Sequence, residues 1–296
     1  MKEYIKLLRP KQWAKNLFLF IPLFFAGQMF NWDKIVMLIG GFFAFSFLAS
    51  SIYIINDYRD IEDDKKHPEK RFRPLAAGTV NKNVALVLSF LLAVGGFALG
   101  FYLEASGKFA FILGLYFILN LSYSLGLKNL SIVDILIVAA GFLLRVKGGS
   151  VLTDIETTAW LNIMTFLLAL FMSIAKRRDD VMLKLETGTD MRKSIKGYSI
   201  EFLNTLLALF CAILIVSYIN YTVSATGMKN FGHRLYYTSI FVIAGIMRYL
   251  QITFVQNKAG SPTEILYKDR FIQVTLLLWI ASFYVILYLK DFIFFK

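Results

Sequence analysis

Residues 56–64 read Asn56-Asp57-Tyr58-Arg59-Asp60-Ile61-Glu62-Asp63-Asp64, and Lys65, Lys66, His67, Lys70, Arg71 and Arg73 follow closely. On a continuous helix Asp57, Asp60 and Asp64 stand at i, i+3 and i+7, within about 60° of one another on one face. Three carboxylates so placed repel one another unless a cation sits between them. Hard oxygen ligands in that number suit Mg²⁺, which is usually held by a few carboxylates together with phosphate oxygens. The downstream cations supply counter-charge for such a phosphate. A charged loop that only sets membrane topology is the plainer alternative. The regular Asn-Asp-x-x-Asp-x-x-x-Asp spacing favours metal and phosphate chemistry.

The element that must position this cluster is the apolar run before it, from about residue 35 to residue 55, which is long enough to cross a bilayer. The whole chain repeats that pattern. It has 296 residues, 57% hydrophobic and 16% aromatic, where soluble domains run about 45–50% apolar. Nine membrane helices are expected, with approximate limits 17–30, 35–56, 83–103, 109–124, 132–152, 159–175, 201–223, 235–254 and 271–289. The first is short, contains Pro22 and follows Lys2, Lys6, Arg9, Lys11 and Lys15, which together could mimic a signal peptide. No small-x-small cleavage site stands out and eight spans follow, so a retained helix is expected. The fold class is all-α: a polytopic bundle forming a single domain over residues 1–296.

Lys and Arg placement orients the bundle. Residues 1–16, 57–82, 125–131, 176–200 and 248–270 carry 24 of the 32 basic residues. That bias predicts a multi-pass cell-membrane protein with its N-terminus in the cytoplasm and its C-terminus outside. A net charge of +12 on such loops matches anionic lipid and an anionic substrate better than nucleic acid. Cys211, the one cysteine, lies inside an apolar span and reads as packing, and His67 and His233 are too isolated to form a zinc site.

A second polar block begins at Lys176-Arg177-Arg178-Asp179-Asp180, about 120 residues after the first, a spacing that hints at duplication of a four-helix unit. Lys176 and Arg177 either hold phosphate oxygens or serve as positive-inside anchors, and Asp180 either joins a metal or orients the cations. Lys184, Arg192, Lys193 and Lys196 read as anchors. Arg145 lies 11 residues past Asp134, about 16 Å along a helix. An Arg at mid-membrane costs about 2.5–3.5 kcal/mol on insertion scales, so it is expected to face the interior with an anionic partner, either an aspartate or a substrate phosphate. Asp269 opens the last span, as a helix cap or at a cavity mouth. Phe42-Phe43 and Phe292 to Phe295 are expected to face lipid or the interface.

The acidic block, with Arg73-Pro74 nine residues past Asp64, resembles the UbiA superfamily of intramembrane prenyltransferases. Within it the chain looks most like the polyprenyl-phosphate (decaprenyl-phosphate) phosphoribosyltransferase branch. The residues that carry this are Leu8-Arg9-Pro10-Lys11-Gln12-Trp13-Ala14-Lys15-Asn16, His67-Pro68, Gly141-Phe142-Leu143-Leu144-Arg145 and Lys176-Arg177. Prenyl-diphosphate users of the superfamily carry a second Asp-rich motif where this chain has Lys176-Arg177.

The resemblance implies a nine-helix bundle with a cytoplasm-facing active-site cavity. It implies Mg²⁺-dependent transfer of 5-phosphoribosyl from phosphoribosyl diphosphate to a polyprenyl phosphate, releasing diphosphate. Asp57, Asp60 and Asp64 would carry the metal, and Asn56 would complete its shell or hydrogen-bond the ribose. Lys15, Lys70, Arg73, Lys176 and Arg177 would bind donor phosphates, and Arg145 the lipid phosphate. The same-fold alternative is prenyl transfer from a prenyl diphosphate to an aromatic or other acceptor. A transporter for an anionic solute fits less well, because it would use both membrane faces and the outer loops here, such as residues 153–156, are sparse in charge.

Overall fold

The computed structural model describes residues 2–66, 70–187, 193–256, 265 and 268–288, and every regular element among them is helical. His67-Pro68, Arg192 and Phe292 to Phe295, singled out above, lie outside the described residues. Among the described residues twelve α-helices run in order: α1 (Lys2–Leu8), α2 (Ile21–Phe25), α3 (Trp32–Arg59), α4 (Ile61–Lys66), α5 (Lys82–Leu103), α6 (Lys108–Leu125), α7 (Val133–Thr153), α8 (Ala159–Thr187), α9 (Ile200–Val223), α10 (Ala225–Phe231), α11 (Ser239–Phe254) and α12 (Arg270–Tyr288). Eight stretches among the described residues are long and apolar enough to cross a membrane: α3, α5, α6, α7, most of α8, α9, the segment His233–Phe254 that ends in α11, and α12. A chain in lipid must satisfy its backbone internally, and continuous helices do so.

The first of the nine expected spans takes a different form. Pro10–Phe20 is a 3₁₀ helix, and only Ile21–Phe25 is α-helical. An eleven-residue 3₁₀ run is long for that geometry, and side-chain contacts described below hold it against α3. Several of the other spans begin at side-chain caps. The Asn31 side chain accepts from the Lys34 N–H to start α3, that of Asn81 from the Asn83 N–H to start α5, and that of Ser199 from the Phe202 N–H to start α9.

The chain packs as two compact units: Met1–Lys128 with Ala140–Thr158, and Asn129–Ala139 with Ala159–Lys296. In the first, α3 is the central element and packs against α5, α6, α1 and the 3₁₀ run. Gly96 permits the α3–α5 contact: a Cβ there would lie 2.9 Å from the Leu48 side chain and 3.1 Å from the Ala44 carbonyl. The main core gathers Phe45, Leu48, Phe109, Leu113 and Tyr116. A smaller cluster of Leu7, Ile54, Ile61, Leu75, Val80 and Ala85 lies at the acidic end of α3, anchoring the segment that carries the aspartates. A cavity of about 330 Å³ lies elsewhere in this unit, lined by Glu104, Lys108, Ser150, Asp154 and Glu156 among others.

In the second unit α8 packs on α9, and α11 on α12. The Tyr218 hydroxyl meets Thr238 Oγ1 at 2.7 Å and accepts from the Trp279 indole at 2.8 Å. Cys211 is buried in α9, as expected of packing. Both units expose large apolar side chains along their spans: Val87, Phe90, Leu91 and Val94 on α5, and Val274, Leu277 and Leu278 on α12. Lipid covers such surfaces in a membrane protein. Of the two phenylalanines expected there on α3, Phe43 is exposed, whereas Phe42 packs against the core.

Candidate active site

The acidic block sits where α3 ends. The helix stops at Arg59, Asp60 caps it at φ −91°, and α4 resumes at Ile61. The i−4 pattern carries across the break, with the Asp60 N–H on the Asn56 carbonyl at 3.0 Å and the Asp64 N–H on the Asp60 carbonyl at 2.7 Å. Residues seven apart on a helix differ by about 20° in direction, and residues three apart by about 60°. The side chains divide accordingly. Asp57 and Asp64 converge on one nitrogen: Arg73 Nη1 donates to Asp57 Oδ1 at 3.1 Å and to Asp64 Oδ2 at 2.8 Å. Asp60 turns to Lys128, whose ammonium lies 2.6 Å and 2.9 Å from its two oxygens. Asn56 joins that pair, donating to Asp60 at 3.1 Å and accepting from Lys128 at 3.0 Å.

The expected gathering of three carboxylates on one metal is therefore not the observed arrangement. No group of three or more candidate metal ligands forms among the described residues. Arg73 occupies the position between Asp57 and Asp64, and Lys128 neutralises Asp60, because buried carboxylates take the nearest cation. Asp57 is only 2% exposed and also pairs with Arg9. That guanidinium lies over the Tyr53 ring, 5.1 Å from its centroid.

The 3₁₀ run is fastened beside this centre. Ser50 Oγ donates to the Leu8 carbonyl at 2.8 Å and accepts from the Trp13 indole at 3.0 Å. Buried Asn16 donates to Ser46 at 2.9 Å. Lys15, one residue earlier, is half-buried, as is Lys70, which opens a short 3₁₀ turn, Lys70–Phe72, after the acidic segment.

Arg145 is buried, as its depth requires, but its protein partners are neutral. Nε donates to Asn16 Oδ1 at 2.7 Å, Nη1 to the Gly141 carbonyl at 2.8 Å and Nη2 to the Tyr116 hydroxyl at 2.9 Å. The Tyr116, Phe142 and Phe45 rings surround it with centroids 4.7, 5.5 and 5.9 Å away. Among the described residues no aspartate, one of the two expected partners, pairs with it; aromatic faces and three oxygens solvate the cation instead. It can therefore still attract an anion.

In the second unit Lys176 is exposed, whereas Arg177 is buried and sits between two carboxylates, 2.6 Å from Asp134 and in direct contact with Asp180. Asp180 thus orients a cation, one of the two roles expected of it. Asp134 is fully buried and also accepts from the Tyr198 hydroxyl at 2.7 Å, which in turn accepts from the Ile132 N–H at 2.6 Å. Burial and the hydrogen bond to Asp134 hold the Tyr198 hydroxyl far above its ordinary pKa, so it stays a donor. Arg178 donates to Asn204 at 2.7 Å. Asp269 caps α12 through the Ile272 N–H at 3.0 Å and pairs with Arg248 at 2.7 Å, the capping role of its two alternatives.

Sequence reasoning did not single out Arg9, Lys128, Asp134 or Tyr198. Lys128 carried a signal, as the one cation of its short loop. Arg9 stood beside a proline in the residues quoted for the resemblance.

Comparison with known proteins extends this picture. The decaprenyl-phosphate phosphoribosyltransferase of Mycolicibacterium smegmatis is 35% identical over 292 residues, covering 94% of this chain and 90% of that one. The enzyme of the same name from Corynebacterium glutamicum is 32% identical, covering 96% and 86%. Among solved structures, a UbiA homolog from Archaeoglobus fulgidus bound to DMAPP and Mg²⁺ superposes with a TM-score of 0.71 at 19% identity, covering 96% of this chain and 99% of that one. The same homolog bound to GPP and Mg²⁺ gives 0.69 at 20% identity. Residues 17–275 match the UbiA prenyltransferase family, and this chain, a transferase, belongs to it.

Proposed function

We propose that this transferase moves 5-phosphoribosyl from phosphoribosyl diphosphate to a polyprenyl phosphate and releases diphosphate. The observation that carries the site is the convergence of Asp57 and Asp64 on a single guanidinium nitrogen at the end of a membrane helix. The names of the relatives matched over most of the chain support this donor.

The residues fit Mg²⁺. Two buried hard-oxygen donors already share one cationic partner, with Asp60 three residues along the same turn. Mg²⁺ held by Asp57, Asp60 and Asp64 would supply charge neutralisation to the departing diphosphate. Asn56 orients Asp60 and reaches the ribose. Lys15, Lys70 and Arg73 hold donor phosphate oxygens. Arg145 attracts the lipid phosphate. The C1–O bond to diphosphate breaks as a lipid-phosphate oxygen bonds to the anomeric carbon. The nucleophile is already anionic, so no strong general base is required, and catalysis rests on positioning and electrostatics. The Lys and Arg bias of the loops supports a cytoplasmic N-terminus and active site and an outer C-terminus.

The test is a turnover assay with purified protein, Mg²⁺, radiolabelled phosphoribosyl diphosphate and a polyprenyl phosphate, counting label in the organic phase. Metal-dependent labelling that disappears in Asp57→Ala supports the assignment. Consumption of a prenyl diphosphate instead, with no lipid labelling, moves the chain to prenyl transfer.

A further inference from the structure

Arg9 is held in a conformation its own chemistry disfavours. Its backbone is left-handed, φ 54° and ψ 57°, at a side-chain-bearing residue that precedes Pro10. A residue before proline prefers extended geometry, and αL costs a non-glycine residue about 1 kcal/mol or more. Such a backbone persists only where its surroundings over-determine it. Here they do so from both sides, because Ser50 grips the Leu8 carbonyl before Arg9 and the Trp13 indole after it. The Gln12 N–H closes the turn on the Arg9 carbonyl at 2.9 Å. The result aims the Arg9 guanidinium across Tyr53 onto Asp57 Oδ1, the oxygen that Arg73 also contacts.

Asp57 and Asp64 balance Arg9 and Arg73 in charge, yet both guanidinia meet on one Asp57 oxygen. Both remain about a quarter exposed at their side chains, whereas Asp57 is sealed. Resting on the reading above, we propose that Arg9 is a diphosphate-binding residue, parked on Asp57 until a divalent cation takes that carboxylate and frees the guanidinium for the donor. The exchange is reciprocal. A metal alone must displace Arg9 and Arg73 from the aspartates, and a diphosphate alone meets guanidinia already neutralised. Together each ligand releases the partner the other needs, so metal and diphosphate bind cooperatively through Arg9. The Ser50 clip keeps the freed side chain beside the site, which limits the entropy lost on recapture.

The experiment uses the full chain in nanodiscs and measures Mn²⁺ affinity by electron paramagnetic resonance, with and without inorganic diphosphate. In the wild type, diphosphate is expected to tighten Mn²⁺ at least about fivefold, the low end of ordinary coupling. In Arg9→Ala, Mn²⁺ alone binds more tightly, because a competitor for Asp57 is gone, while the tightening by diphosphate falls several-fold. These opposite movements are a signature that a merely loosened fold does not give. Arg9→Lys, which keeps the charge without the fork, recovers part of the coupling. Equal coupling in wild type and Arg9→Ala overturns the role of Arg9 and leaves the metal–diphosphate site standing. No coupling in the wild type overturns both.

Discussion

Two buried ion clusters, one in each unit, use the same groups with opposite exposure. Two sealed carboxylates, Asp57 and Asp64, take two guanidinia, Arg9 and Arg73, at 24% and 26% side-chain exposure. Around Arg177 one sealed guanidinium, 3% exposed, takes two carboxylates, Asp134 and Asp180. In the first cluster the guanidinia reach solvent, so they can leave for another anion. In the second, the Arg177–Asp134 pair is dry, and Tyr198 fills a further lone pair of Asp134. A buried pair of that kind is costly to break because the survivor is left charged without water. The difference separates an exchangeable site from a structural one more sharply than residue type does.

The largest test of that contrast is chemical. Asp57→Ala and Asp64→Ala are expected to lower phosphoribosyl transfer by roughly a thousandfold, the upper range for losing one preorganised electrostatic element, while the protein inserts and elutes normally. Partners left behind by Asp57 are near solvent and rehydrate. Retention of wild-type turnover in either variant breaks the exchangeable-site assignment.

The complementary test is stability. Asp134→Ala is expected to cost about 3–5 kcal/mol, because it leaves the sealed Arg177 guanidinium only Asp180 and removes the acceptor of the Tyr198 hydroxyl. Thermal unfolding in detergent, compared with Asp57→Ala, measures it. If Asp57→Ala destabilises as much as Asp134→Ala, the two clusters are alike and the contrast fails.

Arg145 sharpens the comparison, since it is buried and its hydrogen bonds go to Asn16, Gly141 and Tyr116. Losing one charge-assisted phosphate contact is worth about 1.5–3 kcal/mol. Arg145→Met should therefore raise the KM for polyprenyl phosphate roughly tenfold to a hundredfold, with Mn²⁺–diphosphate coupling intact. A change confined to kcat would make Arg145 a brace for Asn16 and the 3₁₀ run rather than a lipid contact.

How far these clusters were legible in the sequence depends on the range of the forces involved. The apolar spans were, because hydropathy is local: α3 was expected over 35–56 and runs Trp32–Arg59. The near-coincidence of Asp57 and Asp64 on one face was also legible, since helical pitch fixes it. Their partners were not. Arg9 lies 48 residues from Asp57, and Asn16 lies 129 from Arg145, and no periodic pattern announces such pairs. The first span misled because hydropathy reports apolar length and not pitch. Pro10 and Pro22 favour a broken segment, and only tertiary contacts such as Trp13–Ser50 decide that it winds as a 3₁₀ helix. Arg177 shows the same limit, because a cation after an apolar helix reads as an anchor or a phosphate ligand until Asp134 is seen against it.

The smallest expected effect belongs to a partly exposed counterpart of these clusters, Arg248 with Asp269, at 26% and 14% side-chain exposure. The Arg248 hydrogen bond holds the Asp269 carboxyl below its ordinary pKa. A carboxyl lowered by folding stabilises the fold above its unfolded pKa, near 3.9, and loses that contribution as pH falls through the folded value. Asn caps a helix about as well as Asp, so Asp269→Asn keeps the Ile272 N–H bond and removes only the ion pair. The melting-temperature difference between wild type and Asp269→Asn should therefore be small and constant from pH 5 to pH 8, and should close below about pH 4. It should also shrink in high salt, because a pair this near solvent is screened. The Asp134–Arg177 penalty, sealed from water, should keep its size in the same salt series. If both differences fade together, exposure does not separate the structural cluster from the surface pair.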